Sequence, residues 1–259
     1  MDQAKHHICS QCMTSVPRGH KFCGRCGGSL PEAMLNAETQ YFSDLQSPEK
    51  ARLILVHGDE LEGLSYHLKS DQHLMGRSGQ LEFPNDPFLS PTHANFFYRN
   101  KRLVVRDEGS LNGVYLRIKG KADLHPGDLF SAGNQVFRFD LAPKPPNDND
   151  ADGTYFYASP RQPSSFRITQ ILEGGAGSMT VCSIETVLKI GREGCDLNFP
   201  TDPQMSLIHC SVEEAGGKYF LIDHDSKNGT FLRIKGEAAL AHGDYVFVGK
   251  KLLRIEMTA

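Results

Sequence analysis

The chain has 259 residues, 28 Lys plus Arg against 31 Asp plus Glu, and 39% hydrophobic residues. That is enough apolar material for real cores, so wholesale disorder is excluded, and the length accommodates one large domain or two small ones. No stretch approaches the roughly 18 apolar residues of a membrane helix, the start MDQAKHHICS lacks a signal-peptide core, and a net charge of -3 gives no global attraction to nucleic acid or anionic lipid. A cytoplasmic protein without membrane attachment is expected.

Four of the seven cysteines crowd the first 26 residues as Cys9-x-x-Cys12 and Cys23-x-x-Cys26. Two such knuckles can close a tetrahedron of thiolates around one zinc ion, so structural zinc is the expected cofactor of a ribbon over residues 6–28. Gly24, Gly27 and Gly28 supply permissive dihedrals after the second pair, whereas Met13 follows Cys12. Redox-active thiols, or a ligand set in which His6, His7 or His20 replaces a cysteine, are weaker readings. A segment this short has almost no core without metal.

Residues 29–50 read as a linker. Beyond them lies an internal repeat: SLNGVYLRIKG at 110–120 matches SKNGTFLRIKG at 226–236, an offset of 116. The same offset carries Phe83-Pro84 onto Phe199-Pro200, Ser90 onto Ser206, His93 onto His209, Gly127-Asp128 onto Gly243-Asp244 and Arg138 onto Arg254. Gly76-Arg77 matches Gly191-Arg192 at 115. A period this long is a duplicated domain and not a solenoid. Each copy is a series of short β-type runs, such as RLILV at 52–56, VFRF at 136–139 and YVFV at 245–248, broken by turn signals. The expected fold is all-β, two antiparallel sandwiches in tandem at 51–140 and 166–259. The proline-rich and acidic segment APKPPNDNDADG marks a linker within 141–165.

Charge is balanced locally as well as globally. Residues 51–140 hold eleven basic and eleven acidic side chains and residues 166–259 ten and twelve. A nucleic-acid-binding ribbon or sandwich would need a basic excess to neutralise phosphates, so nucleic acid is not an expected partner.

The residues that persist between copies without being needed for packing are a Gly-Arg pair (Arg77, Arg192), a Ser-x-x-His (Ser90 with His93, Ser206 with His209) and an Asn-Gly turn (Asn112, Asn228). In this order they resemble the forkhead-associated (FHA) family, over about 180 residues of the chain. The resemblance implies recognition of phosphothreonine in a peptide, without catalysis. It implies that Arg77 or Arg192 and Ser90 or Ser206 contact phosphate, that Asn112 or Asn228 grips peptide backbone, and that the histidine braces the loop. The residue types suit the chemistry independently of the name, because a phosphate dianion only accepts hydrogen bonds and needs a guanidinium fork, a hydroxyl and amides. Each also has a plainer reading: Asn-Gly is a strong hairpin-turn signal in its own right, and an arginine can be a solvated surface charge.

The copies depart from the family pattern. The position before Asn-Gly, commonly Ser or Thr in the family, is Leu111 in the first copy and Lys227 in the second, and the residue after the serine is Pro91 or Leu207. Lysine can serve phosphate there and leucine cannot, so the second copy is expected to be the better binder. Neither Ser/His pair carries a nucleophile elbow or a third acid, and EGGAGS at 173–178 lacks the ending of a phosphate loop. The leading expectation is a non-enzymatic adaptor for threonine-phosphorylated proteins downstream of a Ser/Thr kinase. The N-terminal CSQC and FCGRCG motifs resemble the zinc ribbons of bacterial multidomain proteins. The competing expectation is a phosphorylation-independent scaffold or oligomer built on the sandwiches. Self-recognition is a further reading, since Thr39 and Thr154 in the linkers each precede an aromatic by three residues, Phe42 and Tyr157.

Overall fold

β-branched and aromatic runs bounded by Gly, Pro and Asn become strands among the described residues. The structure is a computed structural model and describes residues 6–9, 11–12, 14–17, 21–30, 51–57, 63–143, 152–155, 157, 159–160 and 163–257. Residues 31–50 of the first expected linker, with Thr39 and Phe42, lie outside the described residues.

Strands β1 (His6–Ile8) and β2 (Ser15–Pro17) pair antiparallel. The first repeat then runs through β3 (Arg52–His57), β4 (Ser65–His67), β5 (Gln72–Gly76), β6 (Leu81–Glu82), β7 (Ala94–Arg99), β8 (Arg102–Asp107) and β9 (Val114–Arg117). It closes with β10 (Lys121–Leu124), β11 (Leu129–Ala132) and β12 (Gln135–Leu141). The second repeat supplies β13 (Phe166–Ile171), β14 (Gly177–Cys182), β15 (Val187–Gly191), β16 (Leu197–Asn198), β17 (Cys210–Ala215), β18 (Lys218–Asp223) and β19 (Thr230–Arg233). It closes with β20 (Glu237–Ala239), β21 (Tyr245–Val248) and β22 (Lys251–Glu256). No helix occurs among the described residues, so none is long and apolar enough to cross a membrane.

These strands form two sandwiches, as the short β-type runs broken by turn signals predict, but their membership does not follow the repeats. One compact unit comprises Met1–Arg117 with Arg233–Ala259 and the other Ile118–Leu232. In unit 1 the sheets run β9-β21-β22-β3-β4 and β20-β8-β7-β5-β6. In unit 2 they run β14-β13-β12-β11-β19 and β10-β18-β17-β15-β16. The last three strands of each sandwich therefore come from the other repeat. The contiguous boundaries expected from the sequence, 51–140 and 166–259, do not coincide with these units. The chain crosses from one to the other within LRIKG, which stands at both 116–120 and 232–236.

Registers across the exchange are matched. Val114 and Tyr115 lie opposite Val248 and Phe247, while Thr230 and Phe231 lie opposite Ala132 and Ser131. Because 132 and 248 are equivalent positions of the repeat, each hairpin occupies its neighbour's slot in the register its own sandwich would impose.

Each core is filled partly by imported residues. Unit 1 buries Leu53, Met75, Phe96 and Val105 with Val246, Leu253 and Ile255. Unit 2 buries Phe166, Ile190, Val212 and Leu221 with Phe130, Phe137 and Phe139. The Phe139 ring centroid lies 5.8 Å from that of Phe166 and 5.0 Å from that of Tyr219. A buried carboxylate ties each hairpin turn to the loop that carries the motif serine. Asp86 accepts from the amides of Phe88 and Lys250 and lies 3.7 Å from the Lys251 ammonium. Asp202 accepts from the amides of Gln204 and Asn134 and from the Gln135 side chain.

Phe139 is fully buried, and truncating a buried phenylalanine costs about 3–5 kcal/mol. Phe139→Ala should lower stability by that amount, with the earliest loss of amide protection in β13 and β17–β18 of the second repeat, read by hydrogen exchange.

Candidate functional site

The Gly-Arg pairs sit at the ends of β5 and β15, and a steric constraint explains the glycine. A Cβ on Gly76 would lie 2.1 Å from the Pro91 carbonyl oxygen, and one on Gly191 would lie 2.1 Å from that of Leu207. The close approach lets the Arg77 amide donate to the Ser90 carbonyl at 3.1 Å and the Arg192 amide to the Ser206 carbonyl at 2.9 Å. Each arginine is thus placed beside its motif serine by main-chain geometry. Arg77 is exposed and Arg192 half-exposed, and neither guanidinium has a hydrogen-bond or ion-pair partner among the described residues.

A buried imidazole joins this loop to the Asn-Gly turn. His93 Nδ1 accepts from the Ser90 amide at 3.1 Å, and its Nε2 lies 3.0 Å from the Gly113 carbonyl. His209 repeats the arrangement with Ser206 and Gly229 at 3.1 Å and 3.1 Å. With Nδ1 accepting, the proton must reside on Nε2 and is donated to the glycine carbonyl. Both histidines are fully buried and both ring nitrogens are occupied by backbone.

Two further bonds complete each loop pair. The oxygen of the Ser90 hydroxyl accepts from the Leu111 amide, and that of Ser206 from the Lys227 amide, both at 3.2 Å. Asn112 Nδ2 donates to the Phe88 carbonyl at 2.8 Å and Asn228 Nδ2 to the Gln204 carbonyl at 2.9 Å. The serine hydroxyl protons and the asparagine carbonyl oxygens face no partner in these contacts. The structure thus brings Arg77, Ser90 and Asn112 into one loop pair in unit 1, and Arg192, Ser206, Lys227 and Asn228 into another in unit 2.

Residues missed in the sequence hold the turns from below. Asp107 and Asp223 accept from the amides of Ser110 and Ser226, whose hydroxyl oxygens accept from the amides of Gly113 and Gly229. In unit 2 Thr230 also donates to Asp223 at 2.6 Å. Val114 has no hydroxyl to do this in unit 1, where Arg233 pairs with Asp107 at 3.7 Å and reaches the Ser110 carbonyl at 3.5 Å. Its Nε would lie 2.1 Å from a Cβ on Gly113, whose φ of 81° already demands glycine. Asp107 and Ser110 recur at the 116-residue offset as Asp223 and Ser226, which is the signal that would have found them. The loop surfaces differ. Leu111 is 86% exposed in unit 1, whereas Lys227, Leu207 and Ile208 are exposed in unit 2.

The four N-terminal cysteines converge, with all four Sγ atoms within 4.8 Å of one another. The Cys9–Cys26 and Cys12–Cys23 sulfurs are 3.5 Å apart, close to the edge of about 3.8 Å for a tetrahedron of thiolates with metal–sulfur bonds of about 2.3 Å. The Thr14 hydroxyl, and then its backbone, lower Cys12 to about 6. Although the Gly28 amide works the other way, the Cys12 and Cys9 sulfurs push Cys26 up to about 12. One thiolate forms at its neighbours' expense unless a cation neutralises the cluster. Of the nearby glycines, Gly27 takes a left-handed φ of 70°, while Gly24 faces open space. Among the described residues the buried ones here are Cys9, Val16, Cys23 and Leu30, so these cysteines could hold a metal that supplies most of the cohesion. The side chains of His6, His7 and His20 lie outside the described residues.

The FHA domain family matches the chain twice, at residues 73–133 and 188–249. Each match begins in one compact unit and ends in the other. Among solved structures, one from a structural and functional analysis of phosphothreonine-dependent FHA domain interactions aligns at 11% identity over 81% of this chain and 98% of that one, with a TM-score of 0.33. Mycobacterium tuberculosis EmbR in complex with a low-affinity phosphopeptide aligns at 18% identity over 34% of this chain and 27% of that one, with a TM-score of 0.19. No curated protein matches the chain.

Burial, only partly offset by the Gly113 carbonyl and by Asp107 and Asp86, holds the His93 imidazole below its ordinary value. A histidine whose folded value is depressed stabilises the fold fully above its unfolded value of about 6.5 and loses that contribution as the pH falls below it. Burial lowers His67 in the same unit likewise, so the His93 share is the difference between the wild type and His93→Gln. Urea melts between about pH 4.5 and 8 should show unit 1 weakening below about pH 6.5, less steeply in the variant; stability that rises on acidification contradicts this assignment.

Proposed function

We propose that the chain is a non-catalytic, cytoplasmic adaptor that binds threonine-phosphorylated proteins downstream of a Ser/Thr kinase. The observation that carries this reading is the twice-repeated loop pair, in which an arginine whose guanidinium has no partner among the described residues is joined through its amide to the carbonyl of a serine whose hydroxyl oxygen already accepts an amide. The hydroxyl proton has a natural acceptor in a phosphate oxygen, and the guanidinium supplies charge-assisted bonds to the same group. Asn112 and Asn228, braced through Nδ2, offer their carbonyl oxygens to a peptide amide. Catalysis finds no support at these serines, because each histidine bonds the serine amide and a glycine carbonyl and leaves no basic nitrogen for the hydroxyl.

Unit 2 is the stronger candidate site. Lys227 adds an exposed cation where unit 1 presents Leu111. Two or three charge-assisted bonds of roughly 1.5–3 kcal/mol each, less the cost of association, correspond to roughly micromolar affinity. The 86% exposure of Leu111 favours a second reading for unit 1, a contact that does not depend on phosphorylation. Cys9, Cys12, Cys23 and Cys26 form a structural zinc ribbon in this proposal, on the donor chemistry and sulfur spacing. Thr154, exposed in the second linker, is a candidate for recognition by the chain's own loops.

Arg192→Ala should weaken retention of the full chain on an immobilised phosphothreonine peptide library by roughly tenfold or more, with an unchanged circular dichroism spectrum, and Lys227→Ala by less. Retention unchanged in both Arg192→Ala and Arg77→Ala would refute the phosphate role of these loops. Metal analysis should find one zinc per chain, and a chelator should remove the protection of the Cys9 and Cys23 amides while leaving the melting of the sandwiches in place. Absence of bound zinc in protein purified from zinc-supplemented cells contradicts the ribbon assignment.

A further inference from the structure

Two identical LRIKG segments make the crossover ambiguous in principle. The main-chain registers of β9 with β21 and of β19 with β11 match those a contiguous closure would use, so hydrogen bonding does not decide between the two. Side chains at non-identical repeat positions do. We infer that the exchange is specified by side-chain complementarity, each repeat carrying a closing segment that fits the other repeat's sandwich better than its own.

Charge is the first discriminator. β8 receives β20, with Glu237 opposite Arg106. The Glu237 carboxylate pairs with Arg99 at 2.7 Å and lies 3.8 Å from Arg106. The equivalent residue of the first repeat is Lys121. Contiguous closure would set that lysine against the same two arginines, replacing attraction by repulsion among three cations. In the reciprocal place Lys121 lies opposite Ile222, with its ammonium 3.6 Å from the centroid of the Phe220 ring. Returning Glu237 there would set a carboxylate near the electron-rich face of that ring.

The hairpin turns repeat the pattern. Lys250 lies 4.5 Å from the centroid of Phe88 in unit 1. The equivalent pair is Asn134 with Gln204, so contiguous closure would leave both the aromatic and the cation without this partner. Core volume points the same way. The hairpin entering unit 2 carries Phe130, Phe137 and Phe139 where the one entering unit 1 carries Val246, Leu253 and Ile255. Unit 1 already buries Phe96 where unit 2 has Val212. Three more rings would overfill the first core and empty the second, and both errors destabilise.

The consequence reaches both candidate binding sites, whatever they bind. Residues 233–259 belong to the second repeat yet supply three strands of the sandwich that presents Arg77, Ser90 and Asn112. Removing either repeat therefore removes structure from both sites.

Double-cysteine variants of the full chain test this directly. Residues opposite one another on neighbouring antiparallel strands have Cα atoms about 4.5–5.5 Å apart, within disulfide range. Arg106→Cys with Glu237→Cys, and Lys121→Cys with Ile222→Cys, should each form an intramolecular disulfide in the monomer under mild oxidation. Arg106→Cys with Lys121→Cys, and Ile222→Cys with Glu237→Cys, should give roughly tenfold less or lower. Peptide mapping by mass spectrometry separates these bonds from any made by native thiols. A dominant 106–121 or 222–237 bond overturns the inference, as does a 106–237 bond found only between two chains. The four positions lie on strand surfaces that are half-buried or exposed, so folding of the variants is checked by the unchanged melting of each reduced protein.

Discussion

A neutral imidazole with both nitrogens spent on backbone is the constraint from which the site geometry follows. His93 and His209 hold a serine amide on one side and a glycine carbonyl on the other, so the serine loop and the Asn-Gly turn of each sandwich keep a fixed separation. A charged imidazole could not accept from the serine amide, which is why burial and neutrality go together here. The arginine is brought to the same place by a different device, the missing Cβ of Gly76 and Gly191. Main-chain and side-chain bonds thus hold the arginine backbone, the serine and the asparagine of each loop pair in fixed relation.

Strand exchange changes what these two sites are. They lie on sandwiches that each borrow three strands, and the loop in unit 1 is braced by Arg233, from the borrowed segment. Unit 2 braces its loop with Thr230 and Asp223, from the second repeat alone. The sites thus have unequal supports as well as unequal surfaces, Leu111 against Lys227.

Much of this was legible in the sequence. The repeat, the β-type runs, the cysteine spacing and the three motifs are local patterns, and the structure places Arg77, Ser90 and Asn112 together as it does Arg192, Ser206, Lys227 and Asn228. Contiguous boundaries at 51–140 and 166–259 rested on the assumption that a repeat closes on itself. Strand partners are set by non-local contacts, and two hairpins with the same period and register are indistinguishable to any local pattern. The distinguishing signal existed but was pairwise: Glu237 against Lys121, read with Arg99 and Arg106. The steric role of Gly76 was likewise invisible, because only the fold reveals the carbonyl of Pro91 against it.

The most direct test of the account is amide and guanidinium NMR of the full chain titrated with a phosphothreonine peptide and its unphosphorylated twin. The account predicts that the phosphorylated peptide alone shifts the Ser206, Lys227 and Asn228 amides and the Arg192 side chain, with His209 remaining neutral. Equal shifts with both peptides, or shifts confined to residues away from these loops, would contradict it.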